Sequence, residues 1–199
     1  MTDILMEAGL CLVIAIFLMV SHETVKVLVY RILNRKKSSL RVSPWKFWRY
    51  IDPVGLILAV VSYVPISKPY FFRIREKRTN LLLGITGLVF LVAVFTGSVL
   101  VLRFSYGGMK GLDHMVVTRF WDKLLSAFWQ YLAMLSFGML VANLFPVSTF
   151  DMGLVLAGYS SKIYLNIIKS DGTIKMILIL ALLLDIIRYI DVRLLLWIL

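Results

Sequence analysis

Three sets of ionisable residues interrupt otherwise apolar stretches of this 199-residue chain: His22-Glu23 within Ser21-His22-Glu23-Thr24-Val25-Lys26, Asp151 within Phe150-Asp151-Met152-Gly153, and Asp185 with Arg188. Charge inside a bilayer is costly, so such residues are functional candidates by default. His22 and Glu23 open like the helical H-E-x-x-H pattern, in which imidazoles at i and i+4 share a face and grip one zinc ion while the glutamate takes a proton from bound water. The fifth position here is Lys26, whose ammonium has three donors and no lone pair. Read alone, the His-Glu pair is better taken as a polar helix end near the interface. Asp185 and Arg188, at i,i+3, read as a local pair, a headgroup contact or a partner-protein contact. His114 stands in a polar loop with no companion at ligand spacing.

The elements that must position these residues are membrane helices. The chain is 60% hydrophobic and 17% charged, against about 45–50% and 25% in soluble domains, and its apolar residues come in blocks long enough for four or five spans of about 20 residues. A water-soluble domain is excluded. The net charge of +11 would suggest nucleic acid in a soluble protein. Here the basic residues flank apolar blocks and read as topology signals and contacts to anionic headgroups, so no nucleic-acid partner is expected. The one cysteine, Cys11, excludes an intrachain disulfide and a Cys-rich metal framework.

Along the chain we expect a single membrane domain, 1–199, with a first span at 1–33, a basic interfacial and re-entrant region at 34–80, a span at 81–104, a span with a broken end at 124–153 and a C-terminal apolar segment at 174–199. The first stretch lacks the basic start of a cleaved signal peptide and is expected to stay in the mature protein. Seven Lys/Arg and no acid lie between Arg31 and Arg49, interleaved with Trp45, Phe47, Trp48 and Tyr50, and five more lie between Lys68 and Arg78. Between them, Val54 to Ile66 is too short to cross comfortably and basic on both sides. It reads as a re-entrant or partly inserted element with both ends cytoplasmic, which places the N-terminus outside. Gly84, Gly87 and Gly97 permit close helix approach in the next span. Pro146 breaks the following one, Val147 to Lys162 reads as irregular before turning helical, and Asp171-Gly172 reads as a turn.

Taken in order, these features resemble the site-2 protease family of intramembrane zinc metalloproteases. His22-Glu23 falls in the first span, where that family carries HExxH. Arg41-Val42-Ser43-Pro44, running through Lys46 and Tyr50 into Ile51-Asp52-Pro53-Val54-Gly55, is similar to the family stretch R-L-x-x-N-P-x-x-H-x-D-P-x-G, and Lys68-Pro69 resembles its K-P-V-P-V-N segment. The closest local match is Asn143-Leu144-Phe145-Pro146 through Asp151-Met152-Gly153, which aligns without a gap to N-L-x-P-x-x-x-x-D-G-G. The resemblance covers about residues 20 to 155. It implies an all-α polytopic fold with a site-2-protease-like core, about four spans and a short re-entrant element beginning at Asp52, Pro53 and Gly55. It further implies that His22 and Asp151 are zinc-ligand positions and that Glu23 is the catalytic base.

The chain departs from the pattern where zinc would be held. Lys26 replaces the second histidine, Met152 replaces the first glycine after the aspartate, and Thr86-Gly87-Leu88 stands where many members have Ala-Gly-Pro. With His22 and Asp151 left as vestigial ligands, a three-ligand catalytic site is not expected, and neither is a cofactor. The ammonium of Lys26 is expected to take the place of the metal charge, paired with Asp151 and Glu23. The reading is a pseudoprotease in the cell (inner) membrane, acting as a binding or scaffolding subunit for other integral membrane proteins or transmembrane segments, with anionic lipids at basic residues 31–49 and 68–78. Two alternatives stay open: an active zinc protease using His22, Asp151 and an unrecognised third ligand, with Glu23 as base, and a transporter-like protein.

Overall fold

The computed structural model describes residues 2–34, 47–69, 76–107 and 120–198, and every regular element among them is helical. The first helix, α1 (Thr2–Leu33), contains no proline and is about 48 Å long at 1.5 Å per residue. Its buried side runs through Cys11, Ile14, Leu18, His22, Lys26 and Tyr30, the i, i+3, i+4 stripe of an amphipathic helix. The polar residues continue the same stripe that buries the apolar ones, while Val13, Phe17, Leu28 and Ile32 face outward.

After a 3-10 turn, Phe47–Tyr50, the chain forms a hairpin. The Asp52 carboxylate accepts from the Val54 amide at 3.0 Å and Pro53 occupies the first turn of α2 (Pro53–Ser62), so Asp52 and Pro53 form a helix N-terminus. Tyr63 ends α2 in the left-handed region, φ 56°. Residues 64–69 then return beside the helix, close enough that a Cβ on Gly55 would strike the Ile66 carbonyl. The Lys68 amide donates to the Tyr50 carbonyl at 2.9 Å, so the two ends of the segment meet. Ten helical residues rise about 15 Å, half of a bilayer's hydrocarbon thickness of about 30 Å.

Helices α3 (Lys77–Tyr106) and α4 (Phe120–Leu144) pack against each other and against α1. Their shared core holds Ile14 and Leu18 of α1, Ala59 of α2, Leu91 of α3 and Leu135 and Met139 of α4. By length and composition Met6–Leu33, Lys77–Tyr106 and Trp121–Leu144 can each cross a membrane, which makes this a helical membrane protein with three such helices among the described residues.

Beyond Pro146 the structure is more regular than the sequence suggests. The irregular stretch is only Phe145 to Phe150, followed by α5 (Asp151–Tyr159), and Ser160 separates α5 from α6 (Ser161–Leu183). No turn forms at Asp171-Gly172. The Asp171 carboxylate accepts from the Ser148 amide at 2.8 Å and pairs with Lys175 at 2.6 Å along the helix, and one helical glycine costs only about 1 kcal/mol. The break comes later, at Leu184 and Asp185, with Asp185 at φ 52°. The last helix, α7 (Ile186–Ile198), then packs Leu195 against Val99, Leu102 and Ala133. The C-terminal segment is thereby divided between two helices rather than forming one span. Residues 35–46, 70–75 and 108–119 lie outside the described residues, and with them the Arg41-Val42-Ser43-Pro44 match, most of the two basic stretches and His114.

Candidate functional site

Four ionisable side chains from two helices meet at the centre of the bundle. His22, Glu23 and Lys26 come from one face of α1, and Asp151 is the first residue of α5. All four are at least 97% buried. The Lys26 Nζ lies 2.7 Å from Glu23 Oε1 and 2.9 Å from Asp151 Oδ1. His22 Nε2 lies 2.7 Å from Asp151 Oδ2, and Nδ1 lies 3.2 Å from Glu23 Oε1. The hairpin covers the cluster with Ser67, whose hydroxyl donates to Glu23 Oε1 at 3.0 Å.

Local sequence explains how Asp151 reaches this position. Pro146 cannot continue α4, and the chain turns over five residues before helix resumes. Asn143 bridges the turn: its Nδ2 donates to the Met139 carbonyl at 2.9 Å and its Oδ1 accepts from the Asp151 amide at 3.4 Å. Facing Asp151, α3 presents Gly87, where an added Cβ would strike the carboxylate, and one turn earlier Gly84, where it would strike the Asp151 carbonyl and Val155. These two glycines let α5 approach α3. Gly97 faces open space and has no part in that packing.

The charges balance in one protonation state. Both imidazole nitrogens lie within 3.2 Å of a carboxylate oxygen, the placement in which a doubly protonated ring would donate to each. Two cations then meet two carboxylates, which is the arrangement in which buried charge is tolerated. In this arrangement the same atoms are not spaced as ligands of one zinc ion. Zinc ligands sit about 2.0–2.2 Å from the metal and so roughly 3.3 Å from each other in a tetrahedron, whereas His22 and Asp151 are in direct hydrogen-bond contact. The Lys26 ammonium offers no lone pair. Among the described residues no group of three or more His, Cys, Asp or Glu is placed to hold a metal.

The structure therefore brings together His22, Glu23, Lys26, Asp151 and Asn143, with Pro146 shaping the turn and Asp52, Pro53 and Gly55 building the hairpin above. Ser67 went unnoticed in the sequence. Its only signal was adjacency to Lys68-Pro69, and serine is too common near helix ends to stand out. Asp185 and Arg188 do not join the cluster, nor do they pair with each other among the described residues: Arg188 instead lies over the Tyr63 ring, 4.9 Å from its centroid. Asp191, one turn further along α7, is buried with neither carboxylate oxygen bonded. No family model matches the chain, and no curated protein or solved structure is found similar to it.

Proposed function

We propose that this protein is a catalytically inactive relative of the site-2 proteases, a binding or scaffolding subunit that holds other integral membrane proteins by their transmembrane segments. One observation carries the reading: the ammonium of Lys26 bonds to both Glu23 and Asp151 at 2.7 and 2.9 Å, occupying the cleft where the resembled enzymes hold a metal. With Glu23 bound by Ser67, His22 and Lys26 and Asp151 by His22 and Lys26, neither carboxylate of the cluster is free to take a proton from an attacking water, which general-base chemistry requires. The hairpin, the turn at Pro146 and the glycine-lined approach of α3 to α5 keep the walls of such a cleft in place. On this reading the chain lies in the cell (inner) membrane with its N-terminus outside and its basic stretches against anionic lipid on the cytoplasmic side.

Purification in mild detergent, with identification of co-purifying membrane proteins, tests the proposal alongside a cleavage assay on the same co-expressed proteins. The expected result is a retained membrane partner that stays intact with wild-type protein and with Glu23→Gln alike. Cleavage that disappears in Glu23→Gln or on adding a zinc chelator would contradict it.

A further inference from the structure

A second polar site lies at the other end of α1, 15 residues and therefore about 22 Å before His22 along the helix. There α1, the tip of the hairpin and α4 enclose a cleft of about 150 Å³, lined by Glu7, Ala8, Cys11, Val60, Tyr63 and Tyr131. At about 30 Å³ per water this is room for a small organic cation. The Tyr63 and Tyr131 rings stand 6.0 Å apart and tilted, and Glu7 lines the same cleft. Two aromatic faces beside one carboxylate recognise an ammonium group, through the ring quadrupoles and the opposite charge together.

The cleft has a cationic neighbour. The exposed guanidinium of Arg188 lies 4.9 Å from the Tyr63 centroid, and no carboxylate among the described residues pairs with it. Tyr63 thus has a carboxylate, Glu7, in the cleft that it lines and a guanidinium over its ring. Ile57 and Val61 on α2, the helix that carries Val60, and Leu184 and Ile186, shortly before Arg188 in the chain, are exposed, apolar surface of the kind acyl chains cover. We propose that this cleft binds the headgroup of a zwitterionic phospholipid bearing a primary ammonium, with the ammonium against Glu7, Tyr63 and Tyr131 and the phosphate on Arg188. A lysine from a partner helix would satisfy Glu7 but leave Arg188 unpaired, so the lipid is the better match. The proposal is independent of whether the charge cluster cuts or binds.

Native mass spectrometry of the full chain, delipidated and then offered equal amounts of phosphatidylethanolamine and phosphatidylglycerol, tests this. Wild-type protein is expected to retain phosphatidylethanolamine preferentially. Glu7→Gln removes the preference, weakening retention about 5-fold as one charge-assisted contact at an exposed carboxylate is lost. Arg188→Gln weakens retention of both lipids, Tyr131→Phe, which preserves the ring, weakens it less than Glu7→Gln, and Lys175→Gln, on α6 and not among the residues lining the cleft, changes nothing. Equal retention of the two lipids by wild-type protein overturns the proposal, as does undiminished phosphatidylethanolamine binding by a folded Glu7→Gln variant. A photocrosslinker at position 60 that captures a polypeptide instead of lipid overturns it as well.

Discussion

Replacing Lys26 with methionine keeps the length of the side chain and removes its charge, leaving Glu23 and Asp151 facing one imidazolium in a site at least 97% buried. At an effective dielectric constant of about 20, unit charges about 3 Å apart attract by roughly 5 kcal/mol, and Lys26 makes two such contacts. Desolvation of the ammonium offsets most of that. What remains is the penalty of an uncompensated buried charge, about 3–5 kcal/mol. For a chain of this size each kcal/mol shifts the melting temperature by about 2–4 °C, so Lys26→Met should lower it by ~10 °C. Adding Asp151→Asn to that background returns the charge balance to one imidazolium and one carboxylate and should recover part of the loss. The double-mutant cycle should then show a coupling of about 2 kcal/mol or more. Thermal unfolding in detergent, followed by circular dichroism, measures both quantities. A Lys26→Met variant melting within about 2 °C of wild type, or a coupling below about 0.5 kcal/mol, would refute the argument that Lys26 neutralises the site.

Two further perturbations address the scaffold. Gly87→Ala places a methyl group against the Asp151 carboxylate and should destabilise by about 1–3 kcal/mol as an overpacked contact; Gly97→Ala, which meets open space, should be neutral or stabilising by up to about 1 kcal/mol, as the same melting assay would show. Burial pushes the Asp171 carboxyl up, but bonds from Lys175 and Ser148 outweigh it and hold the group below the usual carboxylate range. Its contribution is therefore complete above the ordinary pKa of about 3.9 and lost as pH falls through the lower folded value. Asp171→Asn should cost about 1 kcal/mol at pH 7 and progressively less in acid, so a penalty that grew on acidification would contradict the assignment.

How much was legible in the sequence depended on whether the signal was local. The apolar blocks and the break at Pro146 follow from hydropathy and backbone chemistry and can be read directly, whereas Asp52-Pro53 alone reads as a turn and is a helix start. The contact between Lys26 and Asp151 was expected from chemistry, since a cation and an anion set on facing helices need each other in an apolar interior. The helix through Asp171-Gly172 was hidden because Asp171 is held by Ser148, 23 residues earlier, a tertiary bond that overrides turn propensity. The break at Leu184-Asp185 carries no proline or glycine to announce it. Arg188 was placed with Asp185 by spacing alone; the left-handed Asp185 interrupts the helix that spacing assumed, and the Tyr63 ring accepts the guanidinium instead.

The central claim is that one ammonium stands where a metal ion would otherwise be held, and metal content measures it most directly. Zinc analysis of purified wild-type protein and of Lys26→His, which would complete the H-E-x-x-H pattern opposite Asp151, gives opposite expectations. Wild-type protein should contain substoichiometric zinc after equilibration with the ion, and Lys26→His should gain about one zinc per chain, held by two imidazoles and a carboxylate. About one zinc per chain in the wild-type protein would contradict the account.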